Sequence, residues 1–141
     1  MTFASDLRFG KVYENDCAIR VGNDVKIIQG KFKPYDMIDK DGVKYEVKSD
    51  RMTVKTGNIC IEYMCNGEKS GITTTESDWY VYYVVDTTSG KPYERVYKIP
   101  VGEIKEMIKK TMFSRIFKGG DGWRSTFYLF KEDMFQNFKI E

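Results

Sequence analysis

Apolar and polar positions along the chain alternate with a period of two in several short runs and follow helical spacing in two others. Val43-Lys-Tyr-Glu-Val-Lys48 and Asn58-Ile-Cys-Ile-Glu-Tyr-Met64 alternate as half-buried strands do. Trp79-Tyr-Val-Tyr-Tyr-Val-Val85 is a continuous β-branched and aromatic run, the pattern of a strand buried on both faces. Val25 to Phe32, Tyr93 to Ile99 and Thr126 to Phe130 read as further strands. Pro34-Tyr-Asp-Met-Ile38, followed by Asp39-Lys-Asp-Gly42, predicts a hairpin into the Val43 strand with its turn at Asp41-Gly42.

Leu7, Phe9 or Gly10, and Tyr13 fall near helical spacing behind Ser5 or Asp6 as N-caps, so a short opening helix is expected to carry Glu14. Ile104, Met107, Ile108 and Met112 share one face of a second helix spanning Val101 to Met112. A glycine-rich turn at Gly119-Gly-Asp-Gly122 precedes the last strand, and a short helix is expected from Glu132. With no repeat, low-complexity tract or linker, residues 1–141 are expected to form a single mixed α/β domain, a central and partly antiparallel sheet flanked by helices.

Composition narrows the chemistry. The chain has no histidine, which excludes Ser-His-Asp and Cys-His triads, the HExxH metalloprotease motif and phosphohistidine transfer. Its cysteines, Cys17, Cys60 and Cys65, form no CxxC pair and read as small buried hydrophobes. No run approaches the roughly 20 apolar residues of a spanning helix, and Met1 to Gly10 has no signal-peptide pattern, so the expectation is a cytoplasmic protein without a membrane partner. A net charge of +2 neither requires nor excludes a nucleic-acid partner. Catalysis, if present, must rest on carboxylates, lysines, hydroxyls or a metal.

One constellation meets that requirement. Side chains alternate across a strand, so Glu46 and Lys48 emerge together on one face while Tyr45 and Val47 take the other. Pairing across the Asp41-Gly42 turn brings Asp36 toward that same face. Two carboxylates can hold Mg²⁺ through hard oxygen ligands with positions left for water and phosphate, and the Val47 carbonyl is placed to add another. An ammonium beside them suits water orientation and neutralisation of a phosphorane-like transition state.

This pattern, Pro34-Tyr35-Asp36 followed by Glu46-Val47-Lys48 in a hairpin, resembles the PD-(D/E)xK nuclease superfamily, with Tyr35 separating the proline from the acid. The resemblance covers about residues 5 to 85. It implies a restriction-endonuclease-like fold and Mg²⁺-dependent hydrolysis of DNA, with Mn²⁺ able to substitute. It further implies a metal-binding acid on the preceding helix, matched by Glu14, and one on the following strand, matched by Glu62. Ser70-Gly-Ile-Thr-Thr-Thr-Glu-Ser-Asp-Trp-Tyr-Val-Tyr82 is similar to segments of small phage and bacterial members, including Holliday-junction-resolvase-like ones. For a phage-encoded member the compartment is the host cytoplasm.

Arg51, Lys55, Lys69 and Ser70 are the candidate contacts to the DNA backbone. The chain's small size favours selection by DNA structure, such as a branch or junction, over reading a long base sequence, and a homodimer would permit paired cuts. Plainer readings stand beside each assignment. Glu-x-Lys on an alternating strand is often a solvated face, Glu14 a helix-surface charge, and Glu62 the partner of a lysine on a neighbouring strand. On those readings the domain is a non-catalytic nucleic-acid-binding module. RNA is the other open substrate, since metal chemistry at phosphorus does not require deoxyribose.

Overall fold

Two sheets organise the chain. The computed structural model describes residues 3–31, 33–120, 122 and 124–141, with side chains from Gly10 onward. The side chains of Leu7 and Phe9, and with them part of the opening helix pattern, lie outside what is described, as does Phe32 at the end of the Val25 strand. So do Asp121 and Trp123 of the glycine-rich turn. Helix α1 (Phe3–Val21) is followed by strands β1 (Lys26–Ile27), β2 (Met37–Ile38) and β3 (Lys44–Asp50). One helical turn, α2 (Thr53–Thr56), leads into β4 (Asn58–Cys65) and the short β5 (Glu68–Lys69). A 3₁₀ turn (Gly71–Thr73), β6 (Trp79–Val84), β7 (Arg95–Pro100) and α3 (Val101–Lys109) come next. The hairpin of β8 (Arg115–Gly119) and β9 (Ser125–Lys131), then a 3₁₀ segment (Glu132–Phe138), close the chain.

Among the described residues the first sheet runs β1-β2-β3-β6-β7 and the second β5-β4-β9-β8. β3 and β6 are parallel, and the remaining pairs of the first sheet are antiparallel, so it is the mixed sheet expected from the sequence. The second sheet is wholly antiparallel and is a correction to the single central sheet expected: the strand read at Asn58 to Met64 pairs with β5 and β9 in a sheet of its own. The reason lies just after β3. The Asp50 carboxylate accepts the amides of Met52 (2.7 Å) and Thr53 (3.2 Å), turning the chain into α2, which Gly57 ends in the left-handed region at φ 71°.

Alternation in β6 explains how the layers stack. Tyr80, Tyr82 and Val84 face a core shared with Ile59 and Ile61 of β4, Phe130 of β9, Ile104 and Met107 of α3, and Phe135. Val81, Tyr83 and Val85 face Tyr13 and Cys17 of α1 together with Met37 and Tyr45. A strand buried on both faces must be apolar throughout, which is why this run reads as a continuous stretch. The three tyrosines are all interior, as packing required. Helix α3 buries Val101, Ile104 and Met107, but stops before Met112, which is 44% exposed; Thr111, at φ 56°, breaks the spiral. β8 went unread because its exposed residues carry no alternation in burial.

The Arg95 guanidinium donates two bonds to the Glu132 carboxylate, at 2.5 and 3.0 Å, and the Tyr97 hydroxyl donates a third at 2.5 Å, tying β7 to the closing 3₁₀ segment. Burial alone would raise the Glu132 pKa, but the bonds from Arg95 and Tyr97 and the Arg95 charge outweigh it and hold the carboxyl below its ordinary value. This stabilisation is therefore complete above the unfolded-state pKa of about 4.3 and lost as pH falls through the lower folded value. Glu132→Gln is expected to lower unfolding free energy by about 1.5–3 kcal/mol at pH 7. The deficit should shrink on acidification, as measured by urea unfolding of both proteins from pH 7 to pH 3.

Candidate active site

The hairpin forms at the predicted turn. Gly42 occupies φ 82°, and the Asp39 carboxylate accepts the amides of Asp41 (2.9 Å) and Val43 (3.0 Å), pinning the loop. Met37 pairs with Tyr45 and Ile38 with Lys44. Upstream, the Asp36 amide donates to the Tyr45 carbonyl (2.9 Å) and the Asp36 Oδ2 accepts the Val47 amide (2.7 Å). Asp36 is thereby held against β3 by both its main chain and its side chain, at 5% exposure.

Glu46 and Lys48 share the face of β3 that is turned toward the second sheet, in register with Tyr80 and Tyr82 of β6. Lys48 Nζ lies 3.8 Å from Glu46 Oε2, and the Thr75 hydroxyl donates to Glu46 Oε1 at 3.3 Å. Burial pushes the Glu46 pKa up to about 7; the adjacent Asp36 charge and a hydrogen bond between the two carboxyls add to this, against the lowering effects of Lys48 and Thr75. Asp36, Glu46 and Lys48 thus converge, and Glu46 and Asp36 crowd one another's negative charge.

Glu14 reaches this cluster indirectly. Lys33, a residue with no signal in the sequence, places its ammonium 3.2 Å from Glu14 Oε1 and 3.2 Å from Asp36 Oδ1. Burial alone would lower the Lys33 pKa, but the Asp36 and Glu14 charges and hydrogen bonds raise it and keep the group cationic. Glu62 comes from the opposite sheet. Its Oε2 accepts the Ser70 hydroxyl at 3.0 Å, and its charge, with those of Glu46 and Asp36, raises the pKa of the Tyr80 hydroxyl already elevated by burial. Ser70 is therefore engaged by Glu62, where a phosphate contact was expected. Among the described residues no three Asp, Glu or Cys side chains gather as a metal-ligand group. Of the five expected ligands, Asp36 and Glu46 adjoin, Val47 meets Asp36 through its amide, Glu14 is bound to Lys33, and Glu62 approaches from across the cleft.

The adjoining pair fits a hard divalent cation by its chemistry: two oxygen-donor carboxylates with mutually unfavourable charge, one of them 16% exposed and so not screened by bulk water. Beside it opens a cleft of about 580 Å³ between the sheets, lined by Lys48, Arg51, Glu62, Tyr80, Phe117 and Phe127, among others. Arg51 is one of the residues lining this cleft. Lys55 on α2 and Lys69 on β5 are exposed but lie outside the cleft wall. Thr75 was legible only as part of a polar loop. Asp50, which also lines the cleft, continues the two-residue alternation of Glu46 and Lys48, and could have been found from it.

No family model matches the chain, and no curated protein does. Among solved structures the chain is similar to that of a bacterial homing endonuclease, I-Ssp6803I, at 24% sequence identity and a TM-score of 0.48, over 67% of this chain and 68% of that one. No helix among the described residues is long and apolar enough to cross a membrane.

Gly71 sets the position of Glu62. It occupies φ 53°, and a Cβ there would stand 2.2 Å from the Glu62 carbonyl oxygen and 2.8 Å from its carbonyl carbon. Gly71→Ala is expected to cost about 1–3 kcal/mol through backbone strain and displacement of β4, while Ser70→Ala, losing one hydrogen bond, costs about 1 kcal/mol. Equilibrium unfolding of the two variants checks the order, and equal losses would remove the close approach as the cause.

Proposed function

We propose that the chain is a metal-dependent nuclease of the PD-(D/E)xK kind that hydrolyses DNA phosphodiester bonds. The observation that carries this is the convergence of Asp36, Glu46 and Lys48 at the mouth of a cleft that also presents Arg51. Asp36 and Glu46 are the residues that would hold Mg²⁺ or Mn²⁺, which when bound supplies charge stabilisation at phosphorus and a more acidic water.

The chain's own groups account for the rest. Val47 fixes one Asp36 oxygen and Thr75 one Glu46 oxygen, so both carboxylates are oriented before substrate arrives. Lys48, 42% exposed and tethered to Glu46, is free to swing toward a phosphate or a water, orienting the nucleophile as the scissile P–O bond breaks. Arg51 offers a bidentate donor to a backbone phosphate further along the cleft. The chain's small size favours selection of branched or locally unpaired DNA over the reading of a long base sequence.

One observation favours a second reading, a non-catalytic nucleic-acid-binding module: among the described residues no third carboxylate joins Asp36 and Glu46 as a metal-ligand group. The two readings separate on cleavage. Wild type, Lys48→Ala and Glu46→Gln are incubated with labelled linear, single-stranded, nicked and four-way-junction DNA, and with RNA, in Mg²⁺, Mn²⁺ or EDTA. Cleavage by wild type that EDTA abolishes and each variant lowers by roughly 100-fold or more is expected. Binding without cleavage of any nucleic acid would favour the module, and cleavage undiminished in Lys48→Ala would mean the site is elsewhere. Arg51→Ala is expected to weaken DNA binding and to reduce the slope of log affinity against log salt by about one unit, as measured by anisotropy.

A further inference from the structure

Lys33 lies in the loop joining β1 to β2, and its ammonium is saturated. Its three N–H donors meet three oxygens: Glu14 Oε1 at 3.2 Å, Asp36 Oδ1 at 3.2 Å and the Ile28 carbonyl at 3.0 Å. The loop that carries it is anchored at both ends, since the Ile28 amide donates to the Asp36 carbonyl at 2.8 Å. The Lys33 side chain is only 20% exposed, as is that of Glu14. Each Asp36 oxygen is thus accounted for, Oδ2 by the Val47 amide and Oδ1 by Lys33.

Charge decides what this arrangement can admit. With Glu46 ionised, as a bound cation requires, Glu14, Asp36 and Glu46 bring three negative charges, and Lys33 and Lys48 stand at opposite ends with two positive ones. The excess of one negative charge lies on the Asp36 and Glu46 side, where the two carboxyls touch. A single divalent ion there turns the excess positive by one. A second ion between Glu14 and Asp36 would meet Lys33 at the same oxygens and add like charge at close range.

We propose that Lys33 is the protein's built-in cation in the outer half of the carboxylate cluster, taking the place of a second divalent ion between Glu14 and Asp36. The site therefore binds one metal ion, on Asp36 and Glu46, and Glu14 is a partner of Lys33 and not a ligand. The inference rests on the reading of Asp36 and Glu46 as metal holders, and it is tested by metal binding without DNA.

The probe is Mn²⁺, titrated into the full chain by calorimetry, with free Mn²⁺ followed by paramagnetic resonance. Wild type is expected to bind one ion per chain, and Asp36→Asn to lose it. Lys33→Met, which removes the charge and opens both carboxylates, is expected to bind two, whereas Lys33→Arg stays at one. Adding Glu14→Gln to Lys33→Met should return the count to one. Circular dichroism establishes that each variant is folded. Should Lys33→Met fail to fold, Glu14→Gln alone decides: Mn²⁺ affinity kept within about twofold supports the proposal, and a loss of roughly tenfold or more, the size expected on removing a group that supports or ligates a metal, overturns it. Two ions on wild type, or one on a folded Lys33→Met, also overturns it while leaving Asp36 and Glu46 as the metal site. Absence of Mn²⁺ binding to wild type and every variant removes the underlying reading and this inference together.

Discussion

The parallel pairing of β3 with β6 is the constraint from which the rest of the molecule follows. Antiparallel neighbours can be joined by a two-residue turn, but parallel neighbours need the chain to cross back to the starting edge, and something must fill that return. Here it is filled by residues 51–78, which hold α2, β4, β5 and the Gly71 turn. Within that return β4 pairs with β5 and β9 and founds the second sheet. The two sheets then press their apolar faces together, and β6, flanked by β3 and β7 in the first sheet and covered on both faces, becomes the most completely buried strand.

The same crossover creates the site. Glu46 and Lys48 would be ordinary solvated charges on a sheet with one open face. With a second sheet laid over that face, they stand at the margin of an interior, where Glu46 is screened from water and acquires a raised pKa, and where Glu62 arrives from the facing strand. Burial of several carboxylates in one place is costly unless cations and donors compensate them. The structure distributes that compensation: Lys48 and Thr75 at Glu46, the Val47 amide and Lys33 at Asp36, Ser70 at Glu62. Away from the site the polar interior is closed by the same logic, with Glu132 clasped by Arg95 and Tyr97 where the end of the chain returns to β7.

What could be read from the sequence by itself was local. The Asp41-Gly42 turn, the alternation that puts Glu46 and Lys48 on one face, the placement of Asp36 beside them, the unbroken apolar character of β6 and the stripe of α3 depend on residues within a few positions of one another, where backbone geometry and periodicity decide the outcome. The Glu46, Lys48 and Asp36 convergence was legible because a hairpin with a tight turn leaves its register little freedom.

What only the tertiary structure decided depends on partners distant in sequence. An alternating run such as β4 shows that a strand exists but not which sheet takes it, because hydrogen bonds of the backbone carry no address; Asp50 and Gly57 redirected the chain, and β9, some seventy residues on, received it. Lys33 is one of many surface-like lysines until the loop folds back and places its ammonium between Glu14 and Asp36. Ser70 has a hydroxyl fit for phosphate until β4 brings Glu62 within 3.0 Å. In each case the side chain's chemistry was plain from its identity, and its role was set by which distant charge the fold placed beside it, since electrostatic and hydrogen-bonding partners act through space and not along the chain.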